Sequence, residues 1–193
     1  LALTMLPDSI IGRAERMVNV ADKRRNTAAM SGTNGFIVFR PKKRELDLIS
    51  NDEPLQFYSN EARLTGTCTV TDAKLTGRGT LNFRDAALLS NQFRFQQVNV
   101  KSPSAEFQLA GARTRVPAFQ TDDVQCDVDF EARLGEFTPN SGETKIELPI
   151  QQYICFMDRF RWYMDDDEID LLSNRMEKDL PFDFSENRAI SNF

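Results

Sequence analysis

Residues 64–71 alternate without a break. Leu64, Gly66, Cys68 and Val70 fall on one side, and Thr65, Thr67, Thr69 and Thr71 on the other. A period of two places these sets on opposite faces of a strand. Threonine favours strands, and here it supplies the wet face of a half-buried one. The same period starts at Phe36 and continues through 36–39 (FIVF), 46–50 (LDLIS) and 55–58 (LQFY). Leu81 with Phe83, Phe93 with Phe95, Val98 with Val100, and Phe107 with Leu109 extend it. So do 124–130 (VQCDVDF), 145–150 (KIELPI), 159–164 (RFRWYM) and 168–172 (EIDLL). Polar turns separate these runs, among them RPKKRE, and the stretch 111–123 reads as a loop. Short strands punctuated this regularly predict an all-β domain.

The first thirty-three residues read differently. Ile10, Ile11, Ala14, Met17, Val18 and Ala21 recur at helical spacing. Pro7 and Asp8 can start a helix there, and SGTNG at 31–35 can end it. Lys23, Arg24 and Arg25 near its far end either complement a helix dipole or form a basic docking surface. The expected organisation is an N-terminal α-helical segment over 1–33 and a β domain over 34–193.

Within the β domain a short phrase is written twice. GTCTVTDAKL at 66–75 matches GTLNFRDAAL at 79–88, an offset of 13 residues. Read as a structural repeat, the copies stack Cys68 on Leu81, Val70 on Phe83 and Leu75 on Leu88. That reading predicts a repetitive folded sheet or a β-solenoid-like domain, with chance similarity between two strands as the alternative.

The phrases LTGRGTLNFRDAALLSNQFRF (75–95) and VKSPSAEFQL (100–109) resemble the OstA-like proteins of lipopolysaccharide transport and the AsmA-like bridge proteins. The segment YICFMDRFRWYMDDDEIDLLSNR is similar to stretches of long, uncharacterised exported proteins of Bacteroidota-type envelopes. The resemblance implies an open folded sheet with an apolar interior, a cell-envelope location (periplasm or outer-membrane surface) and a role in bridging or lipid transport. Residues Phe83, Phe93, Phe95, Phe107 and Leu109 are the candidates to line an apolar groove. The helical start and the acidic stretch at 122–131 depart from those families.

Chemistry is constrained by what the chain lacks. It has no histidine, which removes the commonest general base and the Ser-His and Cys-His pairs. Cys68, Cys126 and Cys155 are widely spaced, so they are small buried residues, or two of them form a disulfide, or one is an activated thiol. A net charge of −5 disfavours nucleic acid as a partner. No run is long and apolar enough for a membrane helix.

Three constellations remain. Asp127, Asp129 and Glu131 share one face of a strand, with acids about 7 Å apart. That spacing suits polysaccharide cleavage, calcium binding, or simply a charged solvated face. The run 164–169 (MDDDEI) is a solvated hairpin turn or a calcium loop lacking the usual glycine. In 156–164, Phe156, Phe160, Trp162 and Met164 fall in phase, with Arg159, Arg161 and Tyr163 opposed. That is a core strand with a charged outer face, or a surface for sugars or single-stranded nucleic acid.

The expectation is a non-enzymatic structural or bridging module, a piece of a longer envelope protein, possessing no cofactor or metal. Its partners are other segments of the same long chain, envelope proteins, lipid or glycan. The alternatives are a β-helix enzyme acting on polysaccharide through Asp127 and Asp129, and a carbohydrate-binding or adhesion module.

Overall fold

The computed structural model describes residues 3–111, 115–166, 168–173 and 187–189. The chain forms strands β1 (Leu3–Met5), β2 (Ile10–Asn19), β3 (Met30–Arg40), β4 (Glu45–Ile49), β5 (Leu55–Phe57), β6 (Ala62–Val70), β7 (Leu75–Phe83) and β8 (Ala86–Phe95). There follow β9 (Asn99–Ala110), β10 (Pro117–Asp129), β11 (Leu134–Pro139), β12 (Thr144–Leu148), β13 (Tyr153–Met157), β14 (Arg159–Tyr163), β15 (Glu168–Leu172) and β16 (Asn187–Ala189). All belong to one antiparallel sheet, and nearly every strand pairs with its neighbours in sequence. Two places interrupt this meander. β4 and β5 share the space between β3 and β6, and β11 and β12 share the far edge of β10.

The N-terminal helix is a correction. Residues 10–19 form β2, and no α-helix occurs among the described residues. The misleading spacing has a physical source. Ala14 and Met17 both point inward although three residues apart, because Glu15 and Arg16 between them both face out. The paired strand β3 makes the same slip at Gly32 and Gly35. Two inward residues three apart imitate one face of a helix. The glycines of SGTNG lie inside β3 instead of ending a helix, and they leave room for Met17: a Cβ on Gly35 would stand 2.3 Å from the Met17 Cε. Lys23, Arg24 and Arg25 belong to a tight turn, where the Asp22 carboxylate accepts from the Arg24 and Arg25 amides at 2.8 and 3.2 Å.

The twice-written phrase is also resolved. Its copies are consecutive antiparallel strands, so they meet head to tail. Gly66 lies opposite Gly79, Cys68 opposite Gly77, Val70 opposite Leu75, and Leu81 opposite Leu64. None of the three expected stacks, Cys68 on Leu81, Val70 on Phe83 and Leu75 on Leu88, is a cross-strand pair, and the described strands form a meander with no solenoid coil. The stretch 111–123 is a correction too: from Pro117 onward it is strand β10.

The sheet folds over one apolar interior. Phe57 of β5 stacks on Phe95 of β8 at 4.0 Å between ring centroids. Phe83 of β7 and Phe107 of β9 each meet Trp162 of β14 at 5.7 Å, and Phe137 stacks on Phe160 at 4.4 Å. β7 and β14 are not neighbours in the strand order, so these contacts report curling of the sheet onto itself.

One end of the fold is tied by charge. Arg133, after β10, pairs with Glu61 in the β5–β6 turn and with Asp165 in the β14–β15 turn at 3.0 Å. Asp165 also takes Arg84, from the β7–β8 turn, at 2.6 Å. Four turns distant in sequence are thereby joined. Hydrogen bonding from Arg133 is the main reason the Asp165 carboxyl sits below its ordinary range, with partial desolvation opposing the shift. A depressed carboxylate stabilises the fold fully above its unfolded pKa, near about 4, and loses that contribution as pH falls through the folded value. Asp165→Asn is therefore expected to melt below the parent by a constant margin at pH 6–8. The margin should shrink below about pH 4. A margin that stays constant down to pH 3 would remove Asp165 from the acid response.

Candidate functional site

The polar feature with the most structure behind it lies on the outer face of β8, β9 and β10. Each of these strands slips its alternation by one residue at a neighbouring position. The inward residues run Ser90 then Phe93, Ser102 then Ala105, and Thr121 then Val124, with two outward residues between each pair. The ladder is correspondingly irregular between β9 and β10 around Val124 and between β7 and β8 at Gly77–Gly79.

Buried hydroxyls repair the slips. The Ser90 Oγ accepts the Gln92 amide at 3.0 Å and lies 2.7 Å from both the Ser102 Oγ and the Ser104 carbonyl. The Ser102 Oγ lies 2.8 Å from the same carbonyl. Each hydroxyl has one proton, so one serine donates to the carbonyl and the other donates across the pair. Thr121 does the equivalent on β10, donating to the Lys145 carbonyl at 2.8 Å. The doubled outward residues thus stand on a satisfied backbone, as at a β-bulge.

They line two adjoining concavities. The larger, about 520 Å³, is bounded by Leu89, Asn91, Gln92, Pro103, Ser104, Glu106, Asp122 and Asp123. The smaller, about 310 Å³, is bounded by Arg40, Asp47, Thr69, Lys74, Thr76 and Arg78 and shares Asn91 and Gln92. One end of this trench is acidic, and the other sets Arg40, Lys74 and Arg78 beside Glu45 and Asp47. Within it, Asp123 accepts from the Asn140 Nδ2 at 2.6 Å and the Ser104 Oγ at 2.8 Å, and those bonds hold its carboxyl below the usual range. Asp47 accepts from Arg40 and from the Thr69 hydroxyl, both at 2.7 Å. The arrangement offers carboxylates, carboxamides, hydroxyls and cations to a polar ligand.

The residues singled out in the sequence are placed elsewhere. Phe83, Phe93, Phe95, Phe107 and Leu109 are all buried in the common core, and of the five Leu109 also borders a surface concavity of about 450 Å³ beside the β7–β8 turn. Asp127 accepts from the Asn99 Nδ2 at 2.6 Å and the Lys101 Nζ at 2.5 Å. Asp129 caps the following turn, accepting the Glu131 and Ala132 amides at 2.8 and 2.7 Å. Glu131 is exposed. No group of acids, histidines or cysteines placed to hold a metal occurs among the described residues. In 164–169, Asp165 belongs to the ionic tie, and Asp167 lies outside the described residues. Cys68, Cys126 and Cys155 are free and buried. Burial pushes all three thiols up, Cys126 to about 12, which is the opposite of activation.

A second exposed feature was misread in the sequence. Phe156 does not share a face with Phe160 and Trp162, because the chain breaks at Asp158 between β13 and β14. β13 pairs with β12 alone, so its other edge is open among the described strands. Tyr153, Ile154 and Phe156 on it are 59%, 52% and 57% exposed. The ten residues 148–157 (LPIQQYICFM) carry no charge in a chain that is 27% charged. Edge strands ordinarily carry charge, a bulge or a cover.

Comparison with protein-family models, with curated proteins and with solved structures finds no match for the chain.

Proposed function

We propose that the chain is a non-enzymatic structural or bridging module of a cell-envelope protein, and that it joins another polypeptide by adding a strand to β13. The observation that carries this reading is the uncharged β13 edge, unpaired among the described strands, with its exposed Tyr153, Ile154 and Phe156. Strand addition draws affinity from the unpaired backbone groups and selectivity from alternate side chains. The closed core supports a protein partner over an acyl chain, since the five residues suited to a lipid groove are buried. The envelope location rests on the sequence resemblance.

A carbohydrate-binding role is the second reading. The trench favours it by presenting Asn91, Gln92, Ser104 and Glu106 together on a braced backbone.

The test of the bridging reading is hydrogen exchange with and without a blocked peptide of alternating threonine and valine. In the dilute chain, the β13 amides not engaged by β12 should exchange freely. The peptide should protect them, and Ile154→Lys should abolish that protection without lowering the melting temperature. Amides already protected in the dilute chain would mean that the edge is covered, and the reading would fall.

A further inference from the structure

We infer that the trench binds an oligosaccharide bearing a single carboxylate, with the acid group at the β7 end and a neutral sugar toward β9. This rests on the reading of the trench as a carbohydrate site and names the class of glycan.

The trench is built wholly from described residues, and β7, β8, β9 and β10 are each paired along both edges. A peptide finds no free edge there to extend, which removes recognition by strand addition. The ligand must be read by side chains alone.

The smaller concavity favours an anion. Lys74 and Arg78 line it, both exposed and neither in an ion pair with a described residue. Arg94 adds a cation opposite Thr76 on the next strand. Arg40 is already committed to Asp47 at 2.7 Å, and Asp47 is only 6% exposed. That buried carboxylate, with Glu45 in the same lining, limits the negative charge that can enter. A carboxylate fits, whereas a phosphate dianion sets twice the charge against the two acids. Arg78 can grip a carboxylate with two parallel hydrogen bonds.

The carboxamides point to a sugar. On a regular strand consecutive residues face opposite ways. The slip in β8 instead turns Asn91 and Gln92 outward together, across from Arg78. Each carboxamide offers two donors and an acceptor with two lone pairs. Neighbouring ring hydroxyls, each both donor and acceptor, match that pattern. Leu89 and Pro103 give the wall an apolar strip for the C–H face of a ring.

The far end limits the acid to one. Two strand spacings separate β7 from β9, about 10 Å, a span that a disaccharide covers. Glu106, Asp122 and Asp123 stand there. They accept hydrogen bonds from the hydroxyls of a neutral sugar and repel a second carboxylate.

The test is calorimetric titration of the chain with three disaccharides that differ in charge: cellobiose, cellobiouronate (one glucose oxidised to glucuronate) and the matching diuronate. Cellobiouronate should bind saturably, at least about tenfold more tightly than either of the others. Arg78→Gln should bring its affinity down to that of cellobiose with the melting temperature unchanged, and Lys74→Gln should act in the same direction. Asn91→Ala should weaken cellobiose and cellobiouronate alike. Equal affinity for cellobiose and cellobiouronate overturns the inference and leaves the carbohydrate reading standing. So does a diuronate that binds as tightly as cellobiouronate, or a cellobiouronate affinity indifferent to both Arg78→Gln and Lys74→Gln. If N-acetylglutamate, a carboxylate without a sugar, competes as well as cellobiouronate, the trench is an anion patch and both readings fall. Both fall too if none of the three disaccharides saturates the chain at millimolar concentrations.

Discussion

Phe95→Arg is expected to abolish the cooperative melt. Phe95 is fully buried, stacked on Phe57 at 4.0 Å and tilted against Phe93 at 5.8 Å. It also closes over Gly77, where an added Cβ would stand 2.7 Å from the Phe95 ring. Removing a buried aromatic ring costs about 3–5 kcal/mol, and the guanidinium would bring an unpaired charge into the interior besides. Together these approach the whole stability of a domain, about 5–15 kcal/mol. The variant should lose its near-ultraviolet circular dichroism and bind no fluorescent lipid saturably. Arg94→Ala, one residue away on the exposed face, should change stability by less than about 0.5 kcal/mol. A folded Phe95→Arg that loses saturable lipid binding seen in the parent would restore the apolar groove implied by the sequence resemblance.

Phe95 belongs to the part of the fold that was legible from sequence. Strict alternation placed Leu64, Cys68, Leu81, Phe83, Phe93, Phe95, Phe107 and Leu109 on inward faces, and all are buried. Period two is a direct consequence of the pleat, so it survives wherever the pleat is regular. The errors lie where it is not. Ala14 and Met17 flank two outward residues and so imitate a helix. Thr121 and Val124 flank Asp122 and Asp123 in the same way, and with Pro117 they made the first half of β10 read as a loop.

The trench was missed for the same reason, although a trace of it was present. Leu88 and Phe93 are both inward and five apart, an odd spacing that no continuous alternation allows. Val100 and Ala105 repeat it one strand later. An odd interval between two apolar inward residues, with a serine inside it, is the sequence mark of a slipped strand whose hydroxyl repairs the ladder. The β13 edge was hidden differently. Alternation says which face of a strand is wet, but it does not say which edge is left unpaired. That depends on β11 and β12 dividing the far side of β10, a long-range outcome with no local signal.

Gly79→Ala is expected to destabilise the chain by at least about 3 kcal/mol, which gives the twice-written phrase its physical meaning. Gly66 and Gly79 face each other across β6 and β7, with φ of 153° and 126°, a region that L side chains rarely enter. There is also no room. A Cβ on Gly79 would stand 2.2 Å from the Thr65 carbonyl oxygen, and one on Gly66 would stand 2.1 Å from the Arg78 carbonyl oxygen. Both obstacles are backbone, so no rotamer change relieves them. Gly142 separates the two causes, since its φ is also positive, at 60°, but nothing lies within 4 Å of its Cβ position. Gly142→Ala should therefore cost only the conformational term, about 1–2 kcal/mol. The Gly66→Ala and Gly79→Ala losses should not add, because either one already forces the strands apart at the shared contact. Chemical denaturation of the three single variants and the double variant measures all four values. Equal costs at Gly79 and Gly142 would mean that the strands relax freely around the added methyl. The repeated glycine would then reflect backbone conformation alone, without the close approach of β6 to β7.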